Sequence, residues 1–432
     1  MRSIPRWLSS ATALTLAAWP IAAGPASATT RAPATARTSH ARTASWTAAW
    51  TAAPQRPGPS FTPNWSEEGF AHQTIRQIVR VTTGGTSARI RLSNLYGTTR
   101  LTVTGATIAR TASGAAVQKE TLRHLTLKRA RTFTIPAGAE LASDPVQLRL
   151  APLDSVTVTL YLAGPTGPAT YHALAQATGY RAEGDHQADT GAAAFTETTQ
   201  SWYYLSGLDL TGVPAPRSAI VAFGDSITDG MGSTPDANDR YPDRLAERLA
   251  STGRPRAVLN QGIIGNRITV DSAWFGDKAT SRFQRDVLQQ PGVGTVIILL
   301  GINDIGISEL AAAPPAPIFA PFTDVSAADV IAGQRDLIRQ ARTRGLRVIG
   351  ATIMPVKGST IYTARSEAKR EKINTWIRTS GAYDTVVDLA RVMASPADSD
   401  ALDPAYDSGD HLHPNDAGYQ VMANAINPAD LG

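Results

Sequence analysis

The chain contains no cysteine. Disulfides, thiolate metal sites and cysteine nucleophiles are therefore excluded, and the cores must be stable through burial alone. Charge is sparse, at 18% of residues. The net charge of +5 is accounted for by Arg2, Arg6, Arg31, Arg37 and Arg42, all near the N-terminus. The remaining body is neutral overall, so the basic balance describes a tail and implies no nucleic-acid surface. Long apolar runs are also missing. Leu8 to Ala23 is short and interrupted by Ser, Thr and Pro20, and no later segment is long and apolar enough to span a bilayer, so no stable membrane anchor is expected.

What is present divides into four parts across the 432 residues. Residues 1–28 read as an export signal: Arg2 and Arg6, an apolar stretch, then Ala26-Ser27-Ala28 as an A-x-A cleavage site, which implies a secreted protein. Residues 29–43 are low-complexity Thr, Ala, Arg and Pro, a flexible linker. Residues 44–214 are strand-like. Val156, Val158, Leu160 and Leu162 alternate with Thr157, Thr159 and Tyr161, and turn signals such as Gly84-Gly85 and Pro136-Ala137-Gly138 punctuate many short β-branched runs. This predicts an all-β sandwich or jelly-roll-like domain.

From residue 215 to 432 the period changes. Apolar strands at Ala219 to Phe223, Thr295 to Leu300, Leu346 to Ile353 and Thr385 to Leu389 alternate with helices. The helices span Tyr241 to Ala250, Ala328 to Arg344 (Val330, Ile331, Leu337, Ile338 and Ala341 inward), Ala364 to Arg378 (Ile373, Trp376 and Ile377 inward) and Asp416 to Ile426. Such alternation predicts an α/β domain with a doubly wound parallel sheet, whose functional groups lie at the carboxyl ends of the strands.

Four stretches carry candidate chemistry. Gly224-Asp225-Ser226 follows the first strand of this half, where a tight turn can project a serine hydroxyl and a following helix can aim its N-terminus at the site; a plain helix cap uses the same residues. Asn260 to Asn266 is a glycine-containing loop in which Gly265 can bring a backbone N–H close to a substrate, or simply form a turn. Gly301-Ile302-Asn303-Asp304 follows the most apolar strand; Asn303 can offer its amide to an oxyanion or close an Asx-turn. Asp410-His411-Leu412-His413 precedes the last helix, and an Asp three residues before a His can fix its tautomer. Only His411 and His413 of the seven histidines lie in this half. A metal site using Asp410, His411 and His413 is the competing use, with no further histidine there to complete it.

In order and position these stretches resemble the four blocks of the SGNH/GDSL hydrolase family: Gly-Asp-Ser, Asn-x-x-x-x-Gly, Gly-x-Asn-Asp and Asp-x-x-His. The resemblance covers the second half of the chain. It implies Ser226 as nucleophile, His413 as base and Asp410 as its orienting acid. The Ser226 N–H, the Gly265 N–H and the Asn303 side chain would form the oxyanion hole. His411 falls at a variable position, as a bystander that could line the cleft. Ile227 stands where the strict signature has leucine. Asp229 and Asp304 are expected to brace the loops.

The resemblance implies a serine esterase needing no cofactor and no metal. Its substrate would be a small-molecule or polysaccharide ester, and the β-rich half resembles the module preceding the hydrolase domain in some secreted bacterial esterases, including ones associated with xylan breakdown. Short acyl groups, acetyl above all, on carbohydrate are the expected substrate. A lipase or phospholipase-type acylhydrolase is the alternative on the same frame, and a carbohydrate-binding protein with an inactive hydrolase half is the alternative of another class. Trp46, Trp50, Trp65, Tyr96 and Trp202 would serve as sugar platforms or as core and interface residues, the second use being favoured. His72, His124, His172 and His186 suggest no site. The sequence carries no signature of oligomeric state.

Overall fold

The computed structural model describes residues 45–213, 218–312 and 317–432. The export signal, the linker and the expected boundary at 214/215 lie outside the described residues. Residues 44–432 form one compact unit.

The first half is built mainly of two large antiparallel sheets, as its alternating pattern predicts. In one, Ser155–Leu162 is flanked by Gln73–Arg80 and Gly105–Ser113, with Gly179–Glu183 beyond Gln73–Arg80. In the other, Thr47–Thr51, Leu205–Thr211, Gly85–Ser93 and Val146–Leu150 follow one another. Ile75, Val79, Ile108, Val156, Val158 and Leu160 from the first sheet share a core with Ile90, Leu92, Leu208 and Leu210 from the second.

Alternation along Ser155–Leu162 does not mean that one face is wet. Thr157 and Thr159 are as buried as their apolar neighbours. Arg76 Nε donates to Thr159 Oγ1 at 3.2 Å while its Nη1 donates to the Ala115 and Gly191 carbonyls at 2.6 and 2.9 Å, and Thr157 Oγ1 pairs with Thr111 Oγ1 at 2.8 Å. A guanidinium has enough donors to bind loop carbonyls over a sheet and so cover it.

The second half contains a five-stranded, fully parallel sheet. Its strands are β1 (Ala219–Gly224), β2 (Val258–Gly262), β3 (Val293–Leu299), β4 (Arg347–Ala351) and β5 (Thr385–Val387), in the order β2-β1-β3-β4-β5. Helices α1 (Tyr241–Ser251) and α4 (Asp416–Ala425) pack together, as do α2 (Ala327–Thr343) and α3 (Ala364–Thr379). Local sequence fixes where the helices begin. Ser326 and Asp329 form a capping box on α2, and Asn415 accepts from the Gly418 N–H to start α4. Two residues expected to point inward, Ile331 and Trp376, are only half-buried. Gln334 takes the inward position on α2, donating to Leu300 O at 3.1 Å and accepting from Tyr383 OH at 2.8 Å.

The strand order reverses direction at β1, leaving a crevice at the carboxyl ends of β1 and β3, where open parallel sheets bind ligands. Both crevice-lining turns carry predicted site residues.

Candidate active site

Ser226 directly follows the turn at the end of β1. Gly224 is required there by space: a Cβ would lie 1.9 Å from Thr228 Oγ1. Asp225 caps the turn, accepting from the Ile227 N–H at 3.1 Å. The helix expected after the serine is a single turn, Ser226–Asp229, closed by Gly230 at φ +113°. It presents N–H groups to the site but has no length over which to build a macrodipole.

His413 reaches Ser226 from the loop before α4. Ser226 Oγ lies 2.8 Å from His413 Nε2, and His413 Nδ1 lies 2.5 Å from Asp410 Oδ2. Asp410 Oδ1 also accepts from the Leu412 and His413 N–H groups at 2.9 and 2.8 Å, so the Asp-x-x-His turn is folded around its own carboxylate. With the Nδ1–H donated to Asp410, Nε2 carries the lone pair that faces the serine hydroxyl. Partial burial would raise the Asp410 carboxyl, but the hydrogen bond and charge of His413 and the two backbone N–H groups outweigh it and hold the group well below the usual carboxylate range.

His411 points away. Its Nδ1 pairs with Asp407 Oδ2 at 2.6 Å, its side chain is exposed, and it does not line the cleft, which corrects that part of the expectation.

Gly265 and Asn303 line the same pocket as Ser226, Asp410 and His413. Gly265 has φ +69°, and a Cβ there would meet the Phe275 ring at 2.4 Å. Asn303 Nδ2 lies 3.3 Å from Asn266 O. The bracing aspartates act as expected. Asp304 accepts from the Ile268 and Thr269 N–H groups at 2.8 and 3.0 Å, and Asp229 accepts from the Ile264 N–H at 3.0 Å. Asn260 ties its loop to the serine turn, donating to Thr228 O at 2.8 Å.

Three contributors had no sequence signal. Arg282 is fully buried and donates to Gly224 O, Gln261 O and Asn266 Oδ1 at 2.8, 2.9 and 2.9 Å, lashing the β1 and β2 ends together. Phe61 arrives from the β-rich half and stacks on Phe275 with centroids 6.4 Å apart. His172, also from that half, lies 3.0 Å from Asp229. None of the five aromatics weighed as sugar platforms lines the Ser226 pocket. Trp50 and Trp202 are buried against each other, Trp65 stacks on Tyr203, Arg89 covers Trp46, and Tyr96 bonds Asp277.

The pocket itself encloses about 190 Å³. Ser226, Gly265, Asn303 and His413 supply its polar end, while Phe61, Met231, Ile264, Phe275, Phe319 and Ile361 supply an apolar wall. A serine with a paired imidazole, facing amide donors beside an apolar slot, suits attack on an acyl carbonyl.

The GDSL-like Lipase/Acylhydrolase family model matches residues 222–421. Similar solved structures include a GDSL-like lipase from Bacteroides thetaiotaomicron VPI-5482, 19% identical, covering 50% of this chain and 88% of that one at a TM-score of 0.35. A lipase/acylhydrolase from Enterococcus faecalis is 21% identical, covering 48% and 92% at 0.36. An acetyl xylan esterase is 19% identical, covering 48% and 96% at 0.37. No curated protein matches the chain. Residues 222–421 are a GDSL-like lipase/acylhydrolase domain, and the protein is a carboxylic ester hydrolase.

Proposed function

We propose that this protein is a secreted serine esterase that works through an acyl-enzyme on Ser226. The observation carrying this reading is the continuous chain Ser226 Oγ–His413 Nε2 at 2.8 Å and His413 Nδ1–Asp410 Oδ2 at 2.5 Å, opening on the apolar pocket.

In this mechanism Ser226 Oγ bonds to the ester carbonyl carbon as its proton passes to His413 Nε2. The carbonyl oxygen becomes an oxyanion, received by the Ser226 N–H, the Gly265 N–H and the Asn303 amide. Asp410 stabilises the imidazolium and holds its tautomer. The C–O bond to the alcohol breaks and the alcohol leaves with the proton from His413. Water, losing a proton to the same Nε2, then cleaves the acyl-serine, and the proton returns to Ser226 Oγ.

The substrate favoured here is a short-chain acyl ester of a carbohydrate, acetyl included. Asp410 keeps 44% of its side chain exposed, so the triad borders solvent and a bulky alcohol such as a polysaccharide need not enter the slot. The wall supports a second reading for the acyl side. An apolar cavity of about 150 Å³ accommodates benzene, and this pocket, at about 190 Å³, has room for an acyl group well beyond acetyl. A lipase-type acylhydrolase fits that room.

The test is turnover of p-nitrophenyl esters from acetate to octanoate, and acetate release from acetylated xylo-oligosaccharide, by the wild type and Ser226→Ala. Wild-type turnover with the variant at background is expected. Equal rates in both would overturn the Ser226 reading. A rate that peaks at acetate favours the carbohydrate acetyl-ester, and a rate that rises toward hexanoate favours the acylhydrolase.

A further inference from the structure

His172 sits on the short strand Tyr171–His172 of the β-rich half and is only 4% exposed. Both its ring nitrogens meet acceptors alone. Nδ1 lies 2.9 Å from Ala53 O, and Nε2 lies 3.0 Å from Asp229 Oδ1 and 3.2 Å from Leu174 O. A neutral imidazole carries one N–H and one lone pair. Whichever nitrogen bore the lone pair here, it would face an oxygen lone pair. The imidazolium satisfies both sides at once. Burial by itself would lower the pKa of His172, but the Asp229 carboxylate and the carbonyls outweigh it and raise the group above the ordinary histidine value. Trp202 stacks on the ring, with centroids 5.5 Å apart, and fixes its plane.

Asp229 is the last residue of the Ser226 turn. One of its oxygens faces His172, and the other takes the Ile264 N–H at 3.0 Å. Ile264 immediately precedes Gly265, so this bond anchors the Ile263–Ile264 peptide, the one directly before the peptide that carries the Gly265 N–H. The packing beneath is tight: a Cβ on Gly262 would lie 2.2 Å from Asp229 N. Arg240 and Arg282 also lie in the field of Asp229, but each is engaged with its own carboxylate, Asp243 and Asp286. A buried carboxylate left without a contacting cation would shed its charge or move.

We infer that His172 is a positioning residue for ester hydrolysis, holding Asp229 and, through it, the Ile264 N–H at the start of the turn that presents Gly265 to the oxyanion site. The inference rests on the Ser226 reading above. It gives the β-rich half a part in transition-state stabilisation, through a contact 57 residues apart in sequence.

The test uses the full chain with His172→Gln, which keeps an amide donor at one end but carries no charge, and His172→Ala. Three quantities are measured: kcat and KM on p-nitrophenyl acetate, the thermal midpoint, and deuterium uptake of the segment 262–267. For a folded His172→Gln, kcat should fall roughly 10- to 100-fold, less than or comparable to loss of a direct oxyanion donor. KM should stay within about twofold, because the contact acts on the transition state, and segment 262–267 should exchange faster. Unchanged kcat, or lowered kcat with unchanged exchange, would overturn the inference. Failure of both variants to fold would also overturn it, because the pair would then hold the fold rather than the loop. If Ser226→Ala retains wild-type turnover, the Ser226 reading fails first, and the exchange measurement still decides whether His172 holds the segment.

Discussion

Two carboxyls flank the proposed nucleophile and are driven in opposite directions. Asp410 is pulled down by its imidazole. Asp225, one residue before Ser226, is pushed up to about 7, chiefly by burial and further by the charge of Asp304, against the opposing Ile227 N–H and Arg282. Its Oδ2 is buried with no hydrogen-bond partner, which is the structural origin of the shift. The folded-state pKa lies above the unfolded value near 4, so the stabilising contribution of Asp225 is fully present below about pH 4 and is lost as pH rises through about 7. Asp225→Asn removes this titration. Urea unfolding between pH 4 and pH 8 should therefore show the wild type losing ground to the variant, by up to about 4 kcal/mol if the whole shift is expressed. A stability difference that stays flat over that range would show that Asp225 does not titrate there.

At the scale of elements, the site is four loop segments held against each other, after β1, β2 and β3 and before α4. The segment after β2 is the least forgiving, because Gly265 combines φ +69° with a Cβ position inside the Phe275 ring. Gly265→Ala should cut kcat/KM on p-nitrophenyl acetate by roughly 100-fold or more, the scale of losing one oxyanion donor, while the far-ultraviolet circular dichroism stays that of the wild type. Activity within a few-fold of wild type would remove Gly265 from the site. The parallel strands and long helices were legible because strands buried on both faces read as continuous apolar runs, and because three of the four long helices start on a side-chain cap, at Ser326, Thr363 and Asn415. The four blocks of the resemblance named Gly265, Asn303, Asp410 and His413, and these line one pocket with Ser226. What escaped is not written in the strand and helix periodicity. The Ser226 turn is cut short by Gly230 and Gly232, both at positive φ. Thr159 meets an arginine on another strand, and Thr157 pairs with Thr111 across the sheet. Phe61 and His172 reach the site from the other half of the chain, where no periodicity marks them.

At the scale of the molecule, the two halves share interior surface. Ile264, Phe275, Ile307 and Ile318 of the hydrolase half belong to the same apolar cluster as Trp50, Ile90 and Leu208 of the β-rich half. Backbone and hydroxyl bonds stitch the seam: Ala48 N to Pro291 O at 2.9 Å, Thr51 Oγ1 to Asn260 O at 3.1 Å, and Thr82 Oγ1 to Val258 O at 3.1 Å. A fragment of residues 218–432 would expose one wall of its own substrate pocket. Expressed alone, it should be poorly soluble or melt well below the full chain, with little turnover. A soluble, fully active fragment would show that the β-rich half is dispensable to the pocket.

The apolar wall also decides how the enzyme responds to oxidants. With no thiol in the chain, methionine is its readily oxidised sulfur. Met354, Met393 and Met422 are wholly buried, whereas Met231 is half-buried in the wall beside Ser226. Peroxide should convert Met231 to its sulfoxide first and place a strong dipole where the acyl group packs. Turnover should then decline in step with that single oxygen addition, recover under methionine sulfoxide reductase, and resist peroxide in Met231→Leu.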